Sequence, residues 1–171
     1  MKARYFSLLL LALFAFVAVS YAQDKPKRPN DISVSEFDTF KNTSFDIVDA
    51  SHNLKTNVTH MDSEIKNYSG IINTVTPDKL KKDFAAIKGS KKEAETLAEK
   101  ISQLASTGKD MLTNARSVTP KLKSLDATSI VNKSIKGLDF AKTNVTDITS
   151  LLEGNIKLLS DELKKRGEPI E

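Results

Sequence analysis

Apolar side chains return along most of this chain in alternating steps of three and four. From Phe37 the positions Phe37, Phe40, Ser44, Ile47, Ser51, Leu54, Val58, Met61, Ile65, Tyr68, Ile72 and Val75 keep that rhythm for more than five heptads, and only the two serines interrupt its apolar character. A strand alternates with period two and cannot produce this spacing, so the pattern predicts a helix over 34–75, about 60 Å long at about 1.5 Å per residue. Ser44 and Ser51 mark places where a neighbour approaches closely or packs loosely.

The pattern is interrupted at Val75-Thr76-Pro77-Asp78. Thr is a good N-cap, Pro suits the first helical position, and an acidic residue in the first turn complements the positive helix start. A second helix is therefore predicted over 77–118, with a seam through Leu80, Phe84, Ile87, Lys91, Ala94, Leu97 or Ala98, Ile101, Leu104, Gly108, Met111, Ala115 and Val118. Its small residues Ala85, Ala86, Ala94, Ala98 and Ala105 would let another helix lie close. The same punctuation returns 43 residues later as Val118-Thr119-Pro120, opening a third helix over 120–166. That helix is irregular to Thr128 and then clear through Val131, Ile135, Leu138, Val145, Leu152, Ile156, Leu159 and Leu163. Lys164, Lys165 and Arg166 fall in its last turn and Gly167 follows as the C′ cap, as the macrodipole and left-handed cap favour.

Three helices of similar length joined by very short turns must run up, down and up. The expected fold is all-α: an elongated antiparallel three-helix bundle with coiled-coil-like heptad packing, occupying 31–167 and followed by a tail at 168–171. Charge favours contact between the first two helices, because 31–76 holds three basic and seven acidic residues and 77–118 holds nine and six. The alternative is that the seams zip against copies of the same chain.

The N-terminus has a different character. Lys2 and Arg4 precede an apolar run from Ser7 to Ser20, and Ser20-Tyr21-Ala22 offers small residues where signal peptidase reads, so 1–22 is expected to be a signal peptide cut after Ala22. The apolar run is shorter than the roughly 20 residues of a spanning helix. A polar linker, 23–30, follows with Pro26 and Pro29. The mature chain would be secreted or periplasmic.

Composition then changes in meaning. The full 171 residues carry a net charge of +4, but residues 31–171 hold 21 basic and 21 acidic groups, so the basicity belongs to the leader and linker. A neutral folded part with few aromatic residues argues against nucleic-acid binding. With no cysteine there is no disulfide, thiolate metal site or cysteine nucleophile. His52 and His60 lie eight apart and lack the i, i+4 spacing of a helical metal pair. No phosphate-cradling glycine loop or serine elbow is present, so neither an enzyme, a cofactor nor a metal is expected.

Two sets of surface residues remain. Lys79, Lys81, Lys82, Lys88, Lys91 and Lys92 crowd the start of the second helix, and an up-down-up bundle brings Lys164, Lys165 and Arg166 to the same pole, a candidate contact for anionic lipid or another polyanion. Five Asn-x-Ser/Thr sequons, at Asn42, Asn57, Asn67, Asn132 and Asn144, fall off the seams and would be glycan acceptors in a eukaryotic secretory pathway. The expected function is that of a non-catalytic scaffold or protein-interaction module acting on an unidentified protein partner or on itself. The alternative is a lipid- or membrane-surface-binding amphipathic protein of exchangeable-apolipoprotein or membrane-active type.

Overall fold

The computed structural model describes residues 24–170; the expected leader and its cleavage site lie outside them. Three helices follow one another: α1 (Ser35–Ser69), α2 (Pro77–Ser117) and α3 (Lys121–Lys165), with a short 3-10 turn at Ile72–Thr74 between α1 and α2. They form an all-α three-helix bundle. Tyr68 meets Asp83 at one end and Glu36 meets Asn114 at the other, so α1 and α2 are antiparallel. Ties from Ser51 to Asn144 and from Asp62 to Asn155 show α1 and α3 running parallel.

The helix ends follow from local chemistry. Thr76 Oγ1 accepts the Lys79 amide and Pro77 opens α2. At the far end of α3, Glu168 N donates to Leu163 O and Gly167 N to Lys164 O, with Gly167 at φ +71. That pair of bonds satisfies two of the carbonyls a helix end leaves open, and the positive φ is why glycine stands there.

Two boundaries differ from expectation. α1 stops at Ser69, six residues before Val75, although Ile72 and Val75 keep the apolar rhythm and remain half-buried. Asn67, Ser69 and Gly70 are weak helix formers, and Arg166, the cap residue after α3, claims the carbonyls of Ile72 and Val75 with its guanidinium, fixing the unwound turn in place. The second Val-Thr-Pro does not repeat the first. The Thr119–Pro120 peptide is cis, Pro120 itself is the cap residue, and α3 begins at Lys121 with no side-chain cap bond.

The core lies along the three seams. Phe37, Leu54, Val58 and Ile65 of α1, Leu80, Ile87 and Ile101 of α2, and Leu138, Leu152, Leu159 and Leu163 of α3 belong to one buried cluster. α3 buries the widest arc, adding Ala127, Ile130, Ser134, Gly137, Ala141, Asn144, Ile148 and Asn155 to its seam, because it packs against both neighbours. α2 buries a single narrow row. Of the five alanines expected to admit a close neighbour only Ala94 is buried; Ala85, Ala86, Ala98 and Ala105 are exposed. α1 and α2 touch each other sparsely compared with the contact each makes to α3.

Candidate interaction surfaces

Sparse contact between α1 and α2 leaves a groove of about 530 Å³ on that side of the bundle, lined by Thr43, Asp46, Ile47, Ala50, Leu97, Lys100, Gln103, Leu104 and Thr107. Ile47, Ala50, Leu97 and Leu104 make an apolar floor; the polar residues stand along the rims. A second opening of about 310 Å³ continues the same side nearer the lysine-rich pole, between Met61, Glu64 and Ile65 of α1 and Lys79, Lys82, Asp83, Ala86 and Ile87 of α2. The heptad pattern places Ile47, Met61, Ile65, Ile87, Leu97 and Leu104 on the seams, and it carries no signal that α1 and α2 stand apart. That follows from α3 having a wider buried arc than either partner.

The linker lies against α1 beside the groove, and Asp46 belongs to both. Residues 24–34 have no helix or strand, yet they lie against the bundle as a strap: Lys25 reaches Asp49 at 3.0 Å, and Arg28 reaches Asp46 at 2.6 Å and Asp49 at 3.1 Å. The hydrogen bond to Asp46 raises the Arg28 pKa despite some desolvation. Burial alone would raise the Asp49 carboxyl, but Lys25 and then Arg28 outweigh it and hold it below the usual range. Near the start of α1, Asp38 accepts the amides of Ile32 and Val34, and Lys41, only 1% exposed, pairs with Asp31 and Asp38. The acidic surplus of α1 is thus answered by the strap, while its Lys55 pairs with Asp147 of α3.

The nine cations of the expected anionic contact do gather at one pole, but several are engaged within the fold. Lys79 pairs with Asp83 at 2.9 Å and lies 5.4 Å from the Tyr68 ring centroid. Tyr68 donates to the same carboxylate at 2.7 Å, and burial together with that acceptor raises its pKa. Lys81 pairs with Glu168, which raises the Lys81 pKa. Lys165 approaches Glu162 at 3.8 Å, Lys88 lies over the Phe84 ring, and Lys91 is half-buried. Arg166 is held by Glu162 and by the α1–α2 turn and is a structural lock rather than a surface cation. Lys82, Lys92 and Lys164 are exposed.

The sequons separate as well. Asn57, Asn67 and Asn132 are exposed and Asn42 is half-buried. Asn144 is 3% exposed, donates to Ser51 Oγ and accepts from Lys55 between α1 and α3, so a glycan cannot be accommodated there. Its heptad position sits beside the α3 seam, and the wide arc of α3 buries it.

His52 is half-buried and His60 exposed, and among the described residues no cluster of three or more His, Asp or Glu is arranged to hold a metal ion. No described helix is long and apolar enough to cross a membrane. Gly89 and Gly154 face open space; at Gly108 and Gly137 neighbouring side chains already occupy the room, so no gap for a small molecule forms at these glycines. No family model, curated protein or solved structure matches the chain.

Proposed function

We propose that this is a non-catalytic, exported helical module that works by binding another protein, and that the open α1–α2 side is its receiving face. One observation carries the reading: a three-helix bundle with an apolar-floored, polar-rimmed groove running along two helices has the geometry that accepts the apolar face of a fourth, amphipathic helix. In this reading the leader is removed after Ala22, the chain is secreted or periplasmic, and the seams mesh in the coiled-coil manner. The partner helix is supplied by another protein or by a second copy of the chain. In a eukaryotic pathway, the exposed Asn57, Asn67 and Asn132 would be the glycan acceptors.

A photo-crosslinking residue at Leu104, in the groove, tests this against the same residue at Glu153 on the exposed face of α3. In cells that produce the protein, a discrete adduct from Leu104 and not from Glu153 supports the reading. Identical adducts from both positions, or none from Leu104, oppose it. A second reading, contact with an anionic membrane surface, is supported by a separate observation, a pair of leucines left exposed at the start of α3.

A further inference from the structure

The end of the bundle opposite the lysine-rich pole carries Leu122, 72% exposed, and Leu125, 60% exposed, in the first turns of α3. Three residues apart on a helix, they stand on the same side. Ile71 is the other large hydrophobic residue left exposed among the described residues, and it lies at the far end. Around the two leucines cations outnumber acidic residues: 111–126 contains Arg116, Lys121 and Lys123 against Asp126, and Glu36 of α1, tied to Asn114, lies at the same end. All three cations are exposed, and ion pairs found among the described residues involve none of them. The lysine-rich pole differs, since much of its charge is spent on Asp83, Glu162 and Glu168.

A stable protein interface buries more than about 1,000 Å² in all, far beyond what two leucines at a bundle tip supply. A bilayer surface requires no matching shape: apolar tips enter the acyl boundary while flanking cations stay at headgroup level. We infer that Leu122 and Leu125, with Arg116, Lys121 and Lys123, form the contact of this protein with the surface of an anionic lipid bilayer. The bundle then stands on the membrane by its α2–α3 turn and leaves the α1–α2 groove free. This rests on the membrane reading and relocates its site to the pole opposite the lysine cluster.

The test is co-sedimentation of the purified protein with phosphatidylcholine vesicles, with and without phosphatidylglycerol. Leu122→Ser with Leu125→Ser, Lys121→Glu with Lys123→Glu, and Lys82→Glu with Lys164→Glu at the other pole are compared with the parent, helical content being checked by circular dichroism. Binding is expected only with the anionic lipid. It should weaken about a hundredfold in the leucine variant, at least about tenfold in the Lys121/Lys123 variant, and little in the Lys82/Lys164 variant. Loss confined to the Lys82/Lys164 variant overturns this site while the membrane reading survives. Absence of binding to either vesicle overturns both. A change from dimer to monomer in the leucine variant, seen by sedimentation equilibrium, assigns the leucines to self-contact and overturns the proposal.

Discussion

The two flanks of α1 are built differently. Toward α3 the helix carries ties in constant register: Ser51 with Asn144 and Asp62 with Asn155 are both 93 residues apart, and Lys55 with Asp147 is 92 apart. The two 93-residue ties lie 11 residues apart on each helix, about three full turns, so they repeat on one face. Sliding α3 by one turn would unpair both at once and leave buried polar groups unsatisfied, a penalty that apolar packing alone would not impose. Toward α2 the flank has an apolar floor, solvent-reaching grooves and a few polar contacts near its ends. Burial decides how many side chains are covered, whereas the placement of polar pairs decides which alignment is allowed. The first flank is fixed by both; the second is left adaptable.

Truncating the core on each side should expose the largest contrast. Leu152→Ala, at a site 1% exposed on α3, is expected to lower unfolding free energy by about 2–5 kcal/mol, whereas Leu104→Ala on the groove wall should cost about 1 kcal/mol because water already reaches that site. Urea denaturation of the two variants measures this. Equal losses would mean the groove is as tightly packed as the α3 seam.

Next in size comes the register pair. Asn155→Ala strips buried Asp62 of its 3.1 Å donor and should cost about 1–3 kcal/mol. Replacing both Asp62 and Asn155 by Leu should recover or exceed the parent stability but broaden the amide NMR spectrum, as alternative alignments become accessible. A double variant that is destabilised and spectrally sharp would remove the register argument.

Glycine substitutions give a smaller effect with opposite signs. A Cβ at Gly137 would sit 3.1 Å from Val48 Cγ2, whose side chain is fully buried, so Gly137→Ala should cost about 1 kcal/mol. Gly154 faces open space, and Gly154→Ala should stabilise by about 0.5–1 kcal/mol through helix propensity. Thermal unfolding of both reads the signs.

The strap should show the smallest effect, below about 1 kcal/mol, as exposed ion pairs do. Asp49 is held below its ordinary carboxyl pKa in the fold, so its contribution is fully present above about pH 4 and is lost as pH falls through the lowered folded value. Amide exchange at Lys25 and Arg28 should therefore accelerate, relative to α3 amides at the same pH, as the solution is taken from pH 5 toward pH 2. A ratio independent of pH would show that the strap is held by something other than Asp49.

Much of the fold was legible because burial follows periodicity. Phe37, Leu54, Ile87 and Leu159, chosen on spacing alone, are buried, and Gly167 takes the positive φ its C-terminal position demands. What periodicity could not convey was the width of each helix's buried arc. Ile148 and Asn144 lie beside the α3 seam and are buried because two helices press on α3. Ala85 and Ala98 are small but face solvent because only one row of α2 is covered. Net charge per helix likewise could not say which cations meet Asp46 and Asp49, since a total carries no direction around the axis. The candidate surfaces were the least legible part. The lysine cluster was visible as a run, yet its pairing with Asp83, Glu162 and Glu168 required the third dimension. Leu122 and Leu125 fell in the irregular start of α3, where the pattern assigned them no side.

The central claim is that α1 is fixed in register against α3 and only loosely packed against α2. With no native cysteine, spin labels can be placed at will. Electron–electron double resonance would compare Asn53→Cys paired with Lys142→Cys, across α1 and α3, with Asn53→Cys paired with Glu99→Cys, across α1 and α2. The account predicts a narrow distance distribution for the first pair and a broader one for the second, which shifts outward when the groove is filled by a helix. Equal widths for the two pairs, or a broad α1–α3 distribution, would contradict it.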